Sequence, residues 1–454
     1  MDVNHGKFDP PRGVHTTGSG TLPSAFDVSG LAVAAIAGAA SAIDRLARFH
    51  GAAPSTVTVD RDLASLWFGM SFTPDGWELP SPWDAIAGDY ACTDGWIRLH
   101  TNAPHHRAAA LKVLGLGAGA NRETVASAVA PWNGEELEAA VVAAGGCAAV
   151  MRSRAQWLAH PQGRAVAGEP LVAWGVARSP DDGGRRRHSR PAGAPPGNAR
   201  RPLEGVRVLD LTRVIAGPVA TRFLAAYGAQ VLRIDPPDWE ETAVEAELTV
   251  GKHCARLDLK MPGGLARLHE LLAGADVFIH GYRPDALDRL GLSDEVLAER
   301  HPSLVNVALD AYGWSGPWAQ RRGFDSLVQM SCGIAGAGMA HFGSAVPHPL
   351  PVQALDHATG YLCAAAALDA WRGRLDGTVR NARLSLARTA VELMGSGPSD
   401  PAAPLPALDP AALVSESTAW GSGRRLPWPV AIPGVVPRFD VPALGFGSAP
   451  AAWD

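Results

Sequence analysis

Hydrophobic and polar residues along residues 205–309 follow a pattern that predicts strands separated by helices. The predicted strands lie at 205–211, 230–235, 276–280 and 304–309, and the predicted helices at 217–227, 263–273, 284–290 and 293–301. Strands that alternate with crossover helices form parallel sheets with helices on both faces. This part of the chain is therefore predicted to be an α/β domain.

The N-terminal half has a different pattern. An alanine-rich helix is predicted at 31–48 with Asp27 or Ser29 as its cap, followed by a strand at 56–60 and a helix at 61–70. Asp94 and Gly95 between two strand-like runs predict a hairpin. Helical patterns follow at 107–114, 121–130, 134–144 and 153–159. Residues 22–175 are therefore predicted to hold one long helix and a small α+β domain.

Two stretches lack any pattern that could bury a core. Residues 1–21 are rich in Gly, Thr, His and Pro and are predicted to be disordered. Residues 176–202 combine a basic run, 185–190, with Pro and Gly, which predicts a flexible linker. Binding of a polyanion by the basic run is the less favoured reading. The second domain is then 203–454.

Composition narrows the classes of function. The 454 residues are 47% hydrophobic with a formal net charge of −5, which argues against nucleic-acid or anionic-membrane partners. The longest apolar stretch, 31–43, is too short to span a bilayer, and no secretory signal is visible. Five cysteines form no CxxC pair and are interpreted as buried structural thiols: Cys92, Cys147, Cys254, Cys332 and Cys363. A cytoplasmic protein is expected.

Asp356 is the acid most suggestive of chemistry, because it lies at the start of an apolar, small-residue run that ends at Trp371. A carboxylate there is a helix cap, a satisfied buried acid, or a desolvated functional group. The residues alone leave these readings open. A second candidate is the loop 212–218 after the strand that ends near Asp210, where an anionic or nucleotide-containing ligand would meet a helix N terminus. That loop lacks GxGxxG, so a dinucleotide fingerprint is not supported.

Three histidines in one short segment, His100, His105 and His106, could suggest a metal site. No Asp or Glu stands at ligand spacing, so no metal is expected. Residues 24–70 also echo residues 355–394, with Gly30 matching Gly360 and Phe26 at the position of Asp356. This echo is a degenerate second copy or a chance similarity between alanine-rich segments.

Seven motifs in order resemble the family III CoA-transferases, the group that includes formyl-CoA transferase, carnitine CoA-transferase and α-methylacyl-CoA racemase. The motifs are Pro202-Leu-Glu-Gly-Val-Arg-Val-Leu-Asp-Leu-Thr-Arg-Val-Ile-Ala-Gly-Pro218, Tyr227-Gly-Ala-Gln-Val-Leu-Arg-Ile-Asp-Pro236, Gly251-Lys-His-Cys-Ala-Arg-Leu-Asp-Leu-Lys260, Ala275-Asp-Val-Phe-Ile-His-Gly-Tyr-Arg-Pro284, Gly313-Trp-Ser-Gly-Pro317, Gly323-Phe-Asp325 through Gln329, and Ala354-Leu-Asp-His-Ala-Thr-Gly360. The resemblance implies an α/β protein with a parallel-sheet, Rossmann-like CoA-binding domain plus a smaller α+β domain.

The resemblance also implies a function and a set of site residues. Asp356 falls on the family's nucleophile, which moves CoA between an acyl-CoA and a carboxylic acid through an aspartyl-CoA thioester. CoA is then a substrate, and no permanently bound cofactor is expected. The residues that fall where the family holds CoA are Val214, Ile215, Ala216, Arg233, Lys252 and Arg283. The substrate pocket would involve Phe324, Asp325 and Gln329.

Departures from the family pattern keep two alternatives open. Gly251 and Gly281 stand where many members have Asn, and Phe324 stands where the racemases have His. Phenylalanine cannot carry a proton, which disfavours an acyl-CoA racemase or isomerase without removing it. A non-catalytic CoA-binding protein is the other alternative.

The order of the parts is also unusual, because a helix and small domain precede the CoA-binding domain. The chain resembles two family members fused, with the first copy's CoA-binding domain and the second copy's small domain deleted. In the family the site lies between the large domain of one subunit and the small domain of the other. Residues 83–165 are therefore expected to cover the site of Asp356, in a monomeric pseudo-dimer or a homodimer.

Overall fold

The computed structural model of the chain describes residues 8–179, 196–397 and 404–453. The strands, numbered in chain order, are β1 (His15–Thr17), β2 (Thr58–Asp60), β3 (Phe72–Pro74), β4 (Gly88–Cys92), β5 (Gly95–Leu99), β6 (Ala148–Val150), β7 (Ala173–Trp174), β8 (Arg207–Leu211), β9 (Gln230–Asp235), β10 (Lys252–Arg256), β11 (Val277–His280), β12 (Val305–Asp310), β13 (Ala382–Ser385), β14 (Val414–Thr418), β15 (Gly421–Arg425) and β16 (Val430–Ala431). The helices are α1 (Val28–Phe49), α2 (Arg61–Leu66), α3 (Pro104–Val113), α4 (Arg122–Val129), α5 (Gly134–Ala143), α6 (Arg154–Ala159), α7 (Pro161–Ala167), α8 (Ala216–Ala226), α9 (Glu245–Leu248), α10 (Pro262–Gly274), α11 (Pro284–Arg289), α12 (Asp294–Arg300), α13 (Asp325–Cys332), α14 (Ile334–Phe342), α15 (Ala354–Leu375) and α16 (Leu386–Met394).

A seven-stranded sheet forms the centre of the protein and confirms the predicted parallel α/β domain. Its strand order is β10-β9-β8-β11-β12-β13-β7, in which the first six strands are parallel and β7 pairs antiparallel with β13 at one edge. Counted from β8, the parallel part has the order 3-2-1-4-5-6, the doubly wound order of nucleotide-binding sheets. The order reverses between β8 and β11. A ligand crevice is therefore expected beyond the carboxyl ends of these two strands.

The helix that begins beside Asp356, α15, is apolar on every side because it packs against α8, against the sheet and against α1. Helices α1 and α15 are both 22 residues long and lie side by side, with an ion pair between Arg45 and Asp369. Gly360 is a point of close approach between α15 and α8. A Cβ atom added there would lie 2.4 Å from the carbonyl oxygen of Ala216.

Gly360→Ala is expected to lower the free energy of unfolding by about 1–3 kcal/mol, because the added methyl group must push α8 and α15 apart. Urea unfolding would measure the change. Gly263→Ala is the matched control, since Gly263 also lies in a helix but its added Cβ would meet nothing within 4 Å. That variant is expected to be neutral or stabilising by about 0.5–1 kcal/mol. Equal effects at the two positions would contradict the close packing.

Among the described residues, α1 is the helix long and apolar enough to cross a membrane by length and composition alone. The sequence-based expectation considered only residues 31–43 and judged them too short, whereas the helix extends over Val28–Phe49. In the structure, 83% of its apolar window is buried within the protein. Asp27 is the cap, as predicted, because its side chain accepts a 2.7 Å hydrogen bond from the backbone N–H of Gly30.

Strands β4, β5 and β6 form a separate antiparallel sheet that packs against α3, α4 and α5 around a small apolar core. The predicted hairpin is present, with Cys92 paired to Gly95 across a turn that contains Asp94. This unit contacts the large domain through Glu138, whose carboxylate accepts hydrogen bonds from Arg152 of its own unit and, at 2.9 Å, from Arg321.

The prediction of disorder for residues 1–21 is wrong for His15–Thr17, which pair in parallel with Thr58–Asp60. The error arises because pairing of the backbone with a neighbouring strand can order a segment whose own side chains are exposed. Strand β16 pairs with the other edge of β2. Residues 1–7 lie outside the described residues.

The basic run 185–190 of the predicted linker also lies outside the described residues, as does all of 180–195. The two ends of the predicted linker are packed. Arg178 forms a bridge with Val379, and the Arg201 side chain is buried and donates to the carbonyl oxygen of Ala226 at 3.2 Å. The described residues on both sides of 180–195 therefore pack against the large domain.

Candidate active site

A cavity of about 330 Å³ lies where the order of the central sheet reverses. It is lined by residues that follow β8, β11 and β12, by the segment 321–324 and by Asp356. His105 and His106 of α3 complete its wall. The small α+β unit and the sheet domain of one chain therefore share this cavity, at the position where doubly wound sheets bind ligands.

The predicted site residues divide into two groups. Five line the cavity: Val214, Ala216, Arg283, Phe324 and Asp356. The other five do not line it: Ile215 is partly buried, and Arg233, Lys252, Asp325 and Gln329 are buried behind its wall. The residues named from the resemblance therefore lie on segments around this cavity, but which of their side chains line it depends on packing.

Arg233 and Lys252 are the two predicted CoA ligands whose placement differs most from the expectation. Both side chains are fully buried and already paired. Arg233 forms an ion pair with Asp235 at 2.9 Å and another with Glu241 at 2.9 Å. Lys252 donates to Asp210 at 3.2 Å and to the carbonyl oxygen of Pro218 at 2.9 Å. These cations hold the walls of the crevice rather than facing into it.

The loop between β8 and α8 is held in a strained conformation. Val214 has φ of +64°, and it is the one residue other than glycine with positive φ in the described part of the chain. A β-branched residue in this region costs about 1–3 kcal/mol. Its backbone N–H donates to Glu241 at 2.6 Å, and Arg233 holds the other oxygen of that carboxylate. Arg233 therefore supports the loop conformation indirectly, because it holds the carboxylate that binds the backbone of Val214.

Asp210 anchors the start of the same loop. Its carboxylate accepts hydrogen bonds from the backbone N–H and hydroxyl of Thr212 and from the hydroxyl of Thr221. Burial opposes its ionisation, but the charges of Lys252 and Arg233 and these hydrogen bonds hold the pKa of Asp210 below its usual range. Asp210 is therefore an ionised structural group at the base of the crevice.

The cations that do face the cavity were mostly missed by sequence reasoning. Arg213 lies between the rings of Trp239 and Tyr282, and Arg322 is exposed beside His105. With Arg283, they make one side of the cavity positively charged. The signals were a basic residue directly before Val214, inside the first motif quoted above, and a dibasic pair directly before the motif that begins at Gly323.

The two glycine departures have different physical reasons. Gly251 has φ of +81°, and a Cβ there would lie 2.8 Å from Ala225, so glycine is required by the local packing. Gly281 lines the cavity, where a Cβ would meet only Leu309, at 3.9 Å. Its glycine therefore widens the cavity rather than relieving a clash.

Asp356 is buried in the first turn of α15 and faces the cavity. In the described part of the chain, neither of its carboxylate oxygens accepts a protein hydrogen bond. Burial raises the pKa of Asp356 well above its usual range, and the charge of Asp325 raises it further. Asp356 is therefore neither a helix cap nor a satisfied buried acid, which favours the functional reading of the three that the residues left open.

Asp325 performs the capping role for α15. One of its oxygens accepts the backbone N–H of Leu355 at 2.8 Å and that of Asp356 at 3.0 Å. The other accepts a hydrogen bond from Gln329, whose own oxygen accepts the backbone N–H of Leu350 at 2.8 Å. Burial raises the pKa of Asp325 to about 6 despite these three donors, so it is the anionic member of the pair near neutral pH.

An aromatic and imidazole cluster forms the wall next to Asp325. Phe324 stacks on the ring of His100 at 3.8 Å between centroids, and the ring of His106 lies 5.9 Å away, edge-on. Burial, with His105 and Arg322 nearby, lowers the pKa of His106 to about 4. His106 is thus a neutral imidazole, and neither of its nitrogens has a partner within the described chain.

Asp310 was also missed, although it is an acid at the carboxyl end of a parallel strand. It lines the cavity at the end of β12 and accepts the backbone N–H of Gly313 at 2.9 Å. Burial raises its pKa well above the usual range. The described residues contain no cluster of three or more His, Cys, Asp or Glu side chains that could hold a metal ion.

Known CoA-transferases are similar to part of this chain. An acetyl-coenzyme A transferase from Hypoxylon pulicicidum is 36% identical over 38% of this chain and 30% of its own length. A probable fatty acyl-CoA transferase from Mycobacterium tuberculosis is 31% identical over 39% and 48%. Human succinyl-CoA:glutarate CoA-transferase is 35% identical over 30% and 34%.

An orthorhombic crystal structure of the M. tuberculosis protein matches 43% of this chain and 56% of its own, at 32% identity and a TM-score of 0.39. The chain thus spans about half or less of the length of these curated relatives. Residues 203–405 match the family described as CoA-transferase family III. These residues make up less than half of the chain, and over them the chain is similar to CoA-transferase family III.

Proposed function

We propose that the protein transfers CoA between an acyl-CoA and a carboxylic acid, with Asp356 as the nucleophile. The observation that carries this proposal is the unpaired carboxylate of Asp356, which faces a cavity at the switch point of the sheet within the family region. Relatives named as acetyl-, fatty acyl- and succinyl-CoA transferases support the substrate class.

The proposed reaction is a series of acyl exchanges on one carboxylate. An oxygen of Asp356 attacks the thioester carbonyl of the donor, and the CoA thiolate leaves, which forms a mixed anhydride. The thiolate then attacks the aspartyl carbonyl and releases the donor acid, leaving an aspartyl-CoA thioester. The acceptor carboxylate expels the thiolate again, and thiolate attack on the acceptor's acyl carbon regenerates Asp356. Each step forms one acyl bond and breaks one, without net oxidation.

The chain's residues supply charge and position for these steps. Arg213, Arg283 and Arg322 offer cations to the phosphates of CoA. Capping by Asp325 fixes the first turn of α15, where the nucleophile lies. Neutral Asp356 must lose its proton before it can attack, so acylation is expected to increase with pH.

Trapping the covalent intermediate tests the proposal. The protein is incubated with a panel of acyl-CoAs and quenched with hydroxylamine, and peptides are analysed by mass spectrometry. A hydroxamate at Asp356 that depends on acyl-CoA is expected, together with CoA transfer to an added carboxylate. CoA binding by calorimetry with no adduct or turnover across the panel would instead indicate a non-catalytic CoA-binding protein.

We also propose that the chain is a rearranged fusion of two family members in which one chain builds both walls of one site. Support comes from α1 and α15, which are equal in length and packed side by side, and from the cavity contributions of α3. The glycines matched in the echo differ in role, since Gly30 accommodates the Asp27 cap and Gly360 the contact with α8. Full activity in a species that sediments as a monomer is expected. Activity confined to a dimer would oppose this form of the proposal.

One observation favours the alternative of an acyl-CoA isomerase or racemase. Phe324 removes a proton carrier, but His106 brings a neutral, unpartnered imidazole to the same cavity as Asp356. Two such groups could exchange a proton at the α-carbon of an acyl-CoA. Deuterium exchange at that carbon without CoA transfer would establish this reaction.

A further inference from the structure

We propose that Asp325 is a positioning residue that favours the covalent intermediate, because its negative charge repels the free carboxylate of Asp356 and ceases to do so once that carboxylate is acylated. This inference rests on the proposed function. It concerns a residue that the sequence analysis placed among the pocket residues and that the structure places behind the cavity.

The geometry holds the two acids close together. Asp325 takes the place of a local cap, because Gln353 at the N-cap position of α15 makes no capping hydrogen bond. A single oxygen of Asp325 accepts two of the N–H groups that a helix leaves free at its N terminus. One of the two belongs to Asp356, so the nucleophile cannot move away from the second acid without losing that hydrogen bond.

The hydrogen bonds indicate which of the two acids, Asp325 or Asp356, carries the negative charge. Asp325 accepts three N–H donors, which stabilise its ionised form, whereas no donor from the described residues reaches the carboxylate of Asp356. Arg98 of β5 is the nearby cation that favours ionised Asp325. His357, next to Asp356 in α15, is neutral because burial lowers its pKa to about 3. The negative charge therefore rests on Asp325.

Acylation of Asp356 removes the electrostatic repulsion between the two acids. Attack by ionised Asp356 gives an anhydride and then a thioester, and neither carries charge on the aspartyl group. The repulsion from Asp325 is present in the free carboxylate and absent in both intermediates. In a buried site this difference is larger than in water, so the second acid makes Asp356 a more reactive nucleophile once it is ionised.

The test is the pH profile of single-turnover acylation, followed by trapping of the Asp356 adduct. In the wild-type protein we expect a rate that rises with pH through a midpoint well above the usual carboxyl range. Asp325→Asn removes a negative charge, which lowers the pKa of Asp356 and moves this midpoint down by about one unit or more. The plateau rate at high pH is expected to fall by about tenfold or more, because the repulsion no longer promotes attack.

Gln329→Met is the matched control, since it removes one hydrogen bond to Asp325 but keeps the charge. Its midpoint is expected not to move down. A merely structural role for Asp325 would lower the rate without this downward shift, and that result would overturn the proposal. If the Asp325→Asn protein does not fold, the pH profile of the wild-type protein tests the proposal instead. A midpoint of acylation near pH 4 in the wild type would also overturn the proposal. Absence of any wild-type adduct at every pH would instead count against the proposed function.

Discussion

Asp356→Asn is expected to abolish the covalent adduct and to reduce CoA transfer by about 10³-fold or more, because an amide cannot form the anhydride or the thioester. The fold should persist, since the new side chain has the same shape and the lost carboxylate made no protein hydrogen bond in the described chain. Steady-state CoA transfer and peptide mass spectrometry would measure the two effects. An Asp356→Asn protein with wild-type turnover would contradict the mechanism.

The same variant is expected to be more stable than the wild type near neutral pH. The pKa of Asp356 in the folded protein lies above that of the unfolded chain, so the folded state binds the extra proton between these two values. Stability therefore declines as the pH rises through that window, and a neutral amide avoids the decline. Thermal unfolding at several pH values would show it. Asp369→Asn, in the exposed part of the same helix, is the control and should keep full transfer activity.

Glu247→Gln is expected to lower the free energy of unfolding by about 3–5 kcal/mol, because it leaves buried arginines without their counter-charge. Glu247 is 2% exposed and forms ion pairs with Arg222 and, at 3.3 Å, with Arg425. It also accepts hydrogen bonds from the hydroxyl of Ser71 at 2.7 Å and from the backbone N–H of Phe72 at 3.0 Å. One carboxylate thus joins the N-terminal region, α8 and the C-terminal strands.

Urea unfolding at neutral and acid pH would test this prediction. Burial opposes ionisation of Glu247, but Arg222 and Arg425 outweigh it and lower its pKa. Its contribution is therefore present above the unfolded-state pKa and lost as the pH falls through the folded-state value, so the difference between variant and wild type should shrink in acid. Glu270→Gln, with a side chain 64% exposed, is the control and should change stability by less than about 1 kcal/mol. A similar small effect at Glu247 would contradict the role of the cluster.

The sheet domain could be predicted from the sequence because strands and helices each place their buried residues at a characteristic spacing along the chain. The four parallel strands β8, β9, β11 and β12, and the helices α8, α10, α11 and α12, lie where the pattern indicated. Strand β10 (Lys252–Arg256) was not predicted from the pattern, since its charged ends mask a buried strand. The ordered strand at His15–Thr17 was missed for a related reason, because its order comes from backbone pairing.

The candidate site was predictable in its segments but not in its contacts. The sequence by itself determined the parallel sheet, the apolar helix α15 and the position of Asp356 at its start, because each depends on residues close together in the chain. Only the tertiary structure decided that Arg233 and Lys252 are paired inside the protein, that Asp325 caps α15, and that His106 and Arg213 meet at one cavity. Lys252 and Asp210, and likewise Asp325 and Asp356, are far apart in the chain, whereas Arg233 pairs with the nearby Asp235 and Glu241. In each case a charged side chain takes the partner that packing places beside it, which a local pattern does not specify.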